Sequence, residues 1–415
     1  MNRSPRVSVI MIFFNGERFF REALESVFAQ TFQDWELLLV DDGSADGSTA
    51  IAKEYAAAHP GRVRYLEHDG HRNHGQSVTR NLGVRHARGE FVHFLDQDDV
   101  LLPAALAEQV EILDAMPDAG IVFGSPLRWY SWTGRPEDRD RDFFMFPMGK
   151  MDSVFPPPEL LTACIRGDCG MPLPSDFLVR REAILRAGGS EAAFTGSFIG
   201  LYEDEALCAK IFTMSPTYVS SKCWCWYRVH PGMASAAAVK TKQWIFQKAN
   251  PAEMKYLTWL EQYLRESGWE GCEVWAALQK ALWPYRHPAR EALSNRLKWW
   301  YTLVFLNVGR WIRRVKKGST GSIEARPNPI VECDPVGGVT ATLHWTSRRA
   351  EALEVRMGSP DGAVFSRSGP SGEGATKDWA VEGMTFFLQD ASAGRAQSLA
   401  SSLDVVRLRV ARSKD

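Results

Sequence analysis

The first 125 residues alternate between short apolar runs and amphipathic segments with helical spacing. A continuous apolar run predicts a buried parallel strand, and apolar residues three or four positions apart predict one face of a helix. The predicted strands are Val7–Phe14, Glu36–Val40, Val63–Leu66, Phe91–Leu95 and Ala119–Phe123. The predicted helices are Glu17–Gln30, Ser48–Ala58, Gln76–Ala87 and Pro103–Ala115. This alternation predicts an α/β domain with a mostly parallel, Rossmann-like sheet flanked by helices.

The pattern changes beyond this region. Residues 126–198 are less regular, and helical spacing returns over residues 200–212 and, with many tryptophans, over about 240–314. Gly318–Pro329 is typical of a linker. Short segments separated by Gly, Pro, Asp and Ser follow it and predict a small all-β, Ig-like sandwich. The sequence therefore predicts an α/β domain at residues 1–235, a helical region at 236–317 and a β-sandwich at 325–413.

Composition and charge narrow the class of protein. The chain has 415 residues, of which 45% are hydrophobic and 24% charged, as in a globular protein with ample core. The formal net charge of -1 argues against general nucleic-acid binding, which needs a basic excess. The seven cysteines include no C-x-x-C pair, so we expect buried thiols in a reducing cytoplasm. The apolar run near the N-terminus is broken at Asn15 and predicts a core strand, not a signal peptide.

One segment resembles a membrane-active helix. Trp299–Val308 is apolar and is followed by several Arg and Lys residues. Ten such residues are too few to span a bilayer. The segment could lie on an anionic membrane surface, but packing against its own domain is the favoured alternative.

Polar clusters follow three of the predicted strands. They are Asn15-Gly16, Asp41–Ser44 and Asp96–Asp99. In an open α/β sheet, ligands bind beyond the carboxyl ends of the strands, so these clusters predict one site built from separate loops.

The acids Asp96, Asp98 and Asp99 would repel one another unless a cation or hydrogen bonds offset their charge. Carboxylate oxygens suit Mg²⁺ or Mn²⁺, which keep open positions for substrate phosphates. The alternative is that Asp98 or Asp99 caps the helix predicted to begin near Pro103. In Asp41-Asp42-Gly43-Ser44, two adjacent acids exceed what a turn needs, and a carboxylate there could accept from a nucleobase or a ribose hydroxyl.

Taken together, these motifs resemble a known family. Over about residues 6–125 the chain resembles the catalytic domain of glycosyltransferase family 2, which has the GT-A fold. The matching pieces are the Asn15 loop, Ser26-x-x-x-Gln30-Thr31, Asp41-Asp42-Gly43-Ser44, Gly75-x-Ser77-x-x-Arg80-Asn81-x-Gly83, Ala87-x-Gly89-Glu90 and Asp96-x-Asp98-Asp99. Each motif alone is weak evidence, but the set is specific.

The resemblance implies an enzyme that transfers a sugar, with inversion, from a UDP- or dTDP-linked donor to a hydroxyl acceptor. It also implies a divalent metal, Mn²⁺ or Mg²⁺, with Asp98 as the principal ligand. The residues that it associates with the nucleotide sugar are Phe14, Asn15, Asp41, Asp42, Arg80, Asp96 and Gln97. A guanidinium such as that of Arg80 suits phosphate or carboxylate; an ion pair with an acid at the sheet edge is the alternative.

Two later segments also resemble family elements. Glu203-Asp204-Glu205-Ala206-Leu207 resembles the E-D-x-x-L element, which implies Asp204 as the catalytic base, with Glu203 second. The alternative is an acidic first turn that stabilises the helix dipole. Tyr227-Arg228-Val229-His230 resembles a Y-R-x-H segment, and His230 is a candidate ligand of the metal or the diphosphate. A histidine satisfied within a turn is the alternative.

Other chemistry-bearing residues receive a structural interpretation. His68, His71 and His74 lack acids at matching spacing, so we expect them to be mostly solvated. Trp224 and Trp226 are expected in the core and not as a sugar platform.

The leading hypothesis is therefore an enzyme of cell-surface glycan or polysaccharide synthesis, acting on a glycan or lipid-linked acceptor. A nucleotidyl or phosphoryl transferase is disfavoured because the sequence lacks a Walker phosphate loop. The other alternative is a catalytically inert carbohydrate-binding or scaffolding protein on the same fold. The expected location is cytoplasmic, with peripheral contact at the inner membrane face as an option. The sugar, the acceptor, the linkage and the oligomeric state are not predicted.

Overall fold

The structure is a computed structural model, and it describes residues 4–138, 141–145, 150–194, 201–233, 251–290, 320–326, 330–331, 341–348, 350–358, 364–376, 385–391, 402–408 and 410–411. The chain divides into two compact units, one of Met1–Ala238 with Pro251–Trp283 and one of Val239–Asn250 with Pro284–Asp415. The three-part domain boundaries proposed from the sequence stay a prediction.

Two sheets organise the first unit. Its described strands are β1 (Val7–Phe13), β2 (Trp35–Asp41), β3 (Val63–Glu67), β4 (Phe91–Phe94), β5 (Val100–Leu101), β6 (Ile121–Phe123), β7 (Leu127–Trp129), β8 (Phe143–Phe144), β9 (Ser153–Phe155), β10 (Phe177–Arg180), β11 (Thr217–Val219) and β12 (Cys225–Arg228). The large sheet has the order β3-β2-β1-β4-β10-β6-β11-β9, and the small sheet has the order β5-β12-β7-β8. In the large sheet β10 and β9 run antiparallel to their neighbours and the other pairs are parallel, which confirms a mostly parallel sheet.

Helices flank these strands. The described helices are α1 (Glu17–Phe28), α2 (Ser48–Ala58), α3 (Gln76–His86), α4 (Ala105–Ala115), α5 (Glu159–Arg166), α6 (Arg181–Arg186), α7 (Glu203–Met214), α8 (Pro251–Glu266) and α9 (Glu273–Arg286). Strands β1 and β2 are buried along their whole length, as continuous apolar runs predict. Phe20, Leu24 and Val27 of α1 pack into the core that covers this part of the sheet.

A strand that the sequence does not predict lies in the centre of the large sheet. β10 falls in the stretch expected to be irregular, yet it pairs with both β4 and β6. It has only four residues, and so short a run carries too little periodicity to be recognised without its partners. The antiparallel pairing of β10 places the segment that precedes it beside the carboxyl end of β4.

The second unit is all-β in its described part from residue 320 onward. Its strands are β13 (Thr320–Arg326), β14 (Ile330–Val331), β15 (Thr342–Arg348), β16 (Leu353–Met357), β17 (Val364–Ser368), β18 (Ser371–Ala375), β19 (Thr385–Asp390), β20 (Ser402–Arg407) and β21 (Val410–Ala411). The sheets β13-β15-β18 and β17-β16-β19-β20 share one apolar core, in which Leu343 and Trp345 of the first meet Val355 and Leu388 of the second. The expected all-β fold is confirmed, but the interpretation of Gly318–Pro329 as a linker is wrong, because β13 pairs with β15 along seven residues.

No helix among the described residues is long and apolar enough to span a bilayer. The Trp299–Val308 segment lies outside the described residues.

Gly83 brings α3 close to β1. A Cβ atom at this position would lie 2.5 Å from Ile10 Cγ2 and 3.3 Å from Val40 Cγ2. We therefore expect Gly83→Ala to lower the free energy of unfolding. Alanine is the better helix former by about 1 kcal/mol, but overpacking a core costs about 1–3 kcal/mol. The thermal unfolding midpoint of the first unit, followed by differential scanning calorimetry, should fall by about 2–4 °C for each kcal/mol lost.

Gly369→Ala is the matched control, because a Cβ there meets no atom within 4 Å. It should leave both unfolding transitions unchanged. An unchanged or higher midpoint for Gly83→Ala would contradict close packing of α3 on the sheet.

Candidate active site

The polar clusters predicted from the sequence lie at one edge of the large sheet. Strands β1, β2 and β4 are parallel neighbours, so the segments that follow them leave the sheet on the same side. These segments are 14–16, 41–44 and 96–99. The structure therefore brings together the loops expected to build the site.

The loops after β1 and β4 are joined by a reciprocal pair of hydrogen bonds. The backbone N–H of Phe14 donates to Gln97 Oε1 at 2.9 Å, and Gln97 Nε2 donates to the carbonyl of Phe14 at 3.2 Å. Phe14 itself is 44% exposed, so its ring faces solvent beside this junction. Two of the residues proposed for donor binding are thus held by each other.

Asn15 connects the same loop to the one after β2. It adopts a left-handed conformation with φ of 52°, which asparagine tolerates better than most residues. Its N–H donates to Ser44 Oγ at 3.1 Å, and its Oδ1 accepts from the N–H of Ala45 at 2.8 Å. Three neighbouring loops are therefore hydrogen-bonded side by side.

Asp41 is fully buried and its carboxylate is well satisfied. It accepts from the N–H of Ser44 at 2.8 Å, from Thr49 Oγ1 at 2.5 Å and from Tyr65 Oη at 3.1 Å. Its negative charge is thus balanced by donors of its own loop and of the neighbouring α2 and β3.

Asp42 holds the start of α3. It accepts from the N–H groups of His74 and Gly75, at 2.7 and 3.1 Å, and from Thr79 Oγ1 at 2.8 Å. The helix that carries Arg80 is therefore fixed by an acid at the end of β2.

Arg80 bridges two acids that are distant in sequence. Its Nη1 donates to Glu203 Oε1, and its Nη2 donates to Asp96 Oδ1 at 3.0 Å. The side chains of Arg80 and Glu203 are only 4% and 3% exposed. Burial lowers the pKa of the Arg80 guanidinium, but Asp96 and Glu203 outweigh burial and raise it overall. Arg80 is a cation whose Nη1 and Nη2 each contact a carboxylate, whereas its buried Nε has no hydrogen-bond partner among the described residues.

Asp98 and His230 lie in direct contact. His230 Nε2 is 2.8 Å from Asp98 Oδ2, and their side chains are 11% and 22% exposed. The contact follows from the small sheet, in which β12 pairs with β5 directly after the acidic cluster. The structure thus brings together the two residues proposed as metal ligands.

These two side chains fit a divalent cation of the expected kind. No group of three or more His, Cys, Asp or Glu residues with metal-binding geometry occurs in the described part of the chain. Mg²⁺ and Mn²⁺ do not need such a group, because they are commonly held by one or two protein ligands together with waters and substrate phosphates. Asp98 offers carboxylate oxygen at a partly exposed edge, which leaves room for those other ligands. His230 Nδ1 accepts from the N–H of Gly232 and its Nε2 contacts Asp98, so His230 would join an ion only by exchanging its contact with Asp98 for the metal.

Asp99 has a different role from the one expected. It is buried and accepts from Ser175 Oγ at 2.6 Å and from the N–H of Arg228 at 3.0 Å. Helix α4 begins at Ala105, and its described start carries no side-chain cap. The interpretation of Asp99 as a helix cap is therefore wrong. Burial, with Asp98 and Asp96 nearby, raises the pKa of Asp99 well above its usual range.

Arg228 holds the backbone of this acidic loop. Its Nε donates to the carbonyl of Asp98 at 2.8 Å, and its Nη2 donates to Glu22 at 2.6 Å. The guanidinium lies 4.6 Å from the ring centre of Phe19 and 4.4 Å from that of Trp129, within range of cation–π attraction. Sequence reasoning noted Arg228 only as part of a motif and missed Ser175 and Glu22.

The acids at the start of α7 differ in access. Tyr202, directly before the helix, has a φ of 68°. Glu203 is 2% exposed, whereas Asp204 is only half-buried. Burial raises the pKa of Asp204, while Arg80 acts in the opposite direction. Burial and the neighbouring Asp204 raise the pKa of Glu203. Of the two candidate bases, Asp204 is the more exposed.

The remaining predictions agree in part with the structure. His71 and His74 are exposed, but His68 is half-buried and contacts Thr79 Oγ1 at 2.9 Å. Trp224 belongs to the core, as expected. Trp226 is half-buried and packs on Trp129 with ring centres 4.9 Å apart.

Sequence comparison relates the first unit of this chain to known proteins. Residues 8–184 match the model of the family described as Glycosyl transferase family 2. EpsE of Bacillus subtilis is 39% identical over 114 residues, which are 28% of this chain and 40% of that protein. The minor teichoic acid biosynthesis protein GgaB of the same organism is 38% identical over 109 residues, 26% of this chain and 12% of that protein. The chain thus spans less than half the length of these relatives.

Solved structures with a similar chain path include Staphylococcus aureus TarS, which is 14% identical, with 99% of this chain and 79% of TarS covered and a TM-score of 0.45. The mannosyltransferase PcManGT of Pyrobaculum calidifontis, solved with GDP-Man and Mn²⁺, is 21% identical, with 72% and 81% covered and a TM-score of 0.42. These scores are low, so the assignment depends on the family match and on the sheet described above. The first unit of this chain contains a glycosyltransferase family 2 domain.

Proposed function

We propose that this chain is a metal-dependent, inverting glycosyltransferase that moves a sugar from a nucleotide-diphosphate sugar, UDP- or dTDP-linked, to a hydroxyl group. One observation carries the proposal. Arg80 joins Glu203, which begins α7, to Asp96, which lies on the loop that carries the Asp98–His230 pair. A pair that would hold a cation, on a loop linked to the acids of α7, suits transfer from a diphosphate donor.

The nucleotide would lie against the three joined loops. Phe14 offers an exposed ring for stacking on the base, and Asn15, Asp41 and Asp42 would shape the site around the base and ribose. Gln97 and Asp96, from the loop after β4, would face the ribose and the sugar. The hydrogen bonds between these loops hold the site in shape before the donor binds, which reduces the entropy cost of binding.

Asp98 and His230 would hold Mn²⁺ or Mg²⁺. The ion supplies Lewis-acid stabilisation of the negative charge that develops on the departing nucleoside diphosphate. The contribution of the protein is to fix both ligands: Arg228 holds the backbone of Asp98, and strand β12 positions His230.

Asp204 would act as the general base. An inverting transfer needs a carboxylate that removes the proton of the acceptor hydroxyl while this oxygen attacks the anomeric carbon from the side opposite to the diphosphate. Glu203 is buried, and its Oε1 accepts from Arg80. Asp204 is adjacent to it and only half-buried.

We further propose that the acceptor belongs to cell-surface glycan or polysaccharide synthesis and is a glycan or a lipid-linked sugar. Among the relatives, GgaB is named for minor teichoic acid biosynthesis, which supports this setting. The helical region after residue 235 is the part proposed to meet the acceptor.

A donor screen tests the proposal directly. The full-length protein is mixed with Mn²⁺ and, in turn, with UDP-glucose, UDP-N-acetylglucosamine, dTDP-rhamnose and GDP-mannose. We expect one uridine or thymidine donor to raise the thermal midpoint and to be hydrolysed slowly to its nucleoside diphosphate. If calorimetry detects no binding of any of these donors, the chain is better explained as an inert carbohydrate-binding or scaffolding protein.

Replacing the metal ligand should remove activation by the cation. We expect Asp98→Ala to raise the Mn²⁺ concentration needed for half-maximal donor hydrolysis by at least about 10-fold, because one of two protein ligands is lost. Direct Mn²⁺ titration by electron paramagnetic resonance should show the same loss of affinity. Asp118→Ala, at an exposed position, is the matched control. Equal Mn²⁺ affinity in Asp98→Ala and the control would remove Asp98 from the metal site.

Replacing the base should separate binding from turnover. We expect Asp204→Asn to bind the donor within about two-fold of the wild type, while donor hydrolysis falls by about 10²–10⁴-fold, the usual contribution of a general base. Calorimetry gives the first quantity and nucleoside diphosphate release gives the second. A large loss of donor affinity in Asp204→Asn would instead make Asp204 a donor ligand.

A further inference from the structure

Arg80 links the two halves of the proposed site. It projects from α3, and its two Nη atoms contact Asp96, 16 residues later, and Glu203, 123 residues later. Asp96 belongs to the loop that carries Asp98, and Glu203 directly precedes Asp204. We infer that Arg80 is a positioning residue that sets the base Asp204 relative to the donor loop, and that Glu203 is the anchor of Arg80 and not a base. This inference rests on the proposed function.

The chemistry of the bridge requires arginine. A guanidinium presents donors in a planar fork that can contact two carboxylates, whereas the ammonium of lysine is a compact point charge. Here one carboxylate follows β4 and the other lies on α7. Because the guanidinium of Arg80 contacts both, it fixes the distance between these two elements. The ion pair is also buried. Removing one partner would leave an uncompensated charge away from water, which is strongly unfavourable.

Arg80 is itself held firmly. Asp42 accepts hydrogen bonds from the residues that begin α3, and Gly83 allows this helix to lie close to β1. Thr79, the residue before Arg80, donates to Asp42 as well. The bridge therefore runs from the end of β2, through α3, to both acids.

The charges around Asp204 explain why the bridge matters for catalysis. The groups that interact with Asp204 are Arg80 on α3, Asp96 after β4, Glu203, Glu205 and Cys208 on its own helix, and Tyr256 on α8. Within this set Arg80 supplies the positive charge and the acids supply negative charge. Burial raises the pKa of Asp204 and Arg80 lowers it, so Arg80 helps to keep the base ionised.

The direction in which each substitution shifts the acid limb of the pH–rate profile depends on the charge that it removes. A base must be ionised, so activity is lost as the pH falls through its pKa. Removing the positive charge of Arg80 raises this pKa and moves the limb to higher pH. Burial and the neighbouring Asp204 raise the pKa of Glu203 to about 7, so Glu203 is protonated where Asp204 titrates, and removing its carboxyl group leaves the limb near its wild-type position.

Three variants of the full-length protein test the inference, with donor hydrolysis in saturating Mn²⁺ as the readout. We expect Glu203→Gln, which keeps the shape and an acceptor for Arg80, to retain turnover within about 10-fold and to leave the acid limb near its wild-type position. Arg80→Gln should lower turnover and move the limb up. Arg80→Lys keeps the charge but loses the fork, so turnover should fall by at least about 10-fold with the limb near its wild-type position.

Donor affinity and thermal midpoints are measured for every variant, and Asp118→Asn is the control. Donor affinity within about three-fold of the wild type in Glu203→Gln supports positioning, because a ligand of the donor would lose more. Collapse of turnover in a folded Glu203→Gln would make Glu203 the base and overturn the inference. An acid limb that does not move up in Arg80→Gln would also overturn it. If the wild type hydrolyses no donor, the proposed function fails and the inference falls with it; an active wild type whose limb does not move in Arg80→Gln rejects the inference alone.

Discussion

Carboxylates crowded at one buried edge of a sheet must be balanced by donors or cations, and the architecture of the first unit follows from this constraint. Asp41 and Asp42 are balanced by backbone N–H groups and hydroxyls of adjacent loops. Asp96 and Glu203 are balanced by a shared guanidinium. Asp99 depends on a serine hydroxyl and a strand N–H. Each acid thereby bonds to an element other than its own. The hydrogen bonds and ion pairs that balance the negative charges therefore also fix the relative positions of strands, loops and helices.

The small sheet brings residues from a distant part of the sequence to the acidic loop. Strand β12 lies about 125 residues after β5, yet its pairing brings Arg228 and His230 to the acidic loop. Arg228 is enclosed by aromatic rings and paired with Glu22, so the loop that carries Asp98 rests on a rigid support. Such support would favour the proposed cation site, because ligands already in position lose little entropy on binding.

Much of the first half of the fold could be predicted from the sequence because its signals are local. The predicted helix Ser48–Ala58 matches α2 at both ends, and the strands before Asp41 and Asp96 were expected within one or two residues. The three loops could be assigned to one edge because parallel topology requires it.

The position of β10 and the partners of Asp99 could not be predicted, since they depend on the pairing of short segments far apart in sequence. The sequence predicts the contacts of Arg80 only in part, for the same reason. An ion pair with an acid at the sheet edge is one of the two alternatives, but nothing in the sequence indicates Glu203 as a second partner. The assignment of Gly318–Pro329 as a linker failed because Gly and Ser also occur in β13, where cross-strand partners decide the conformation.

The junction between Phe14 and Gln97 has a consequence for how the sequence can vary. Gln97 also occupies the space into which a side chain at Gly16 would extend, so a Cβ there would overlap its amide. Side chains at positions 16 and 97 therefore compete for the same space, although the two residues follow different strands. A larger residue at position 16 would displace the amide of Gln97, and this displacement would remove the hydrogen bonds that hold Phe14. A substitution directly before α1 is thus transmitted to the residue between Asp96 and Asp98.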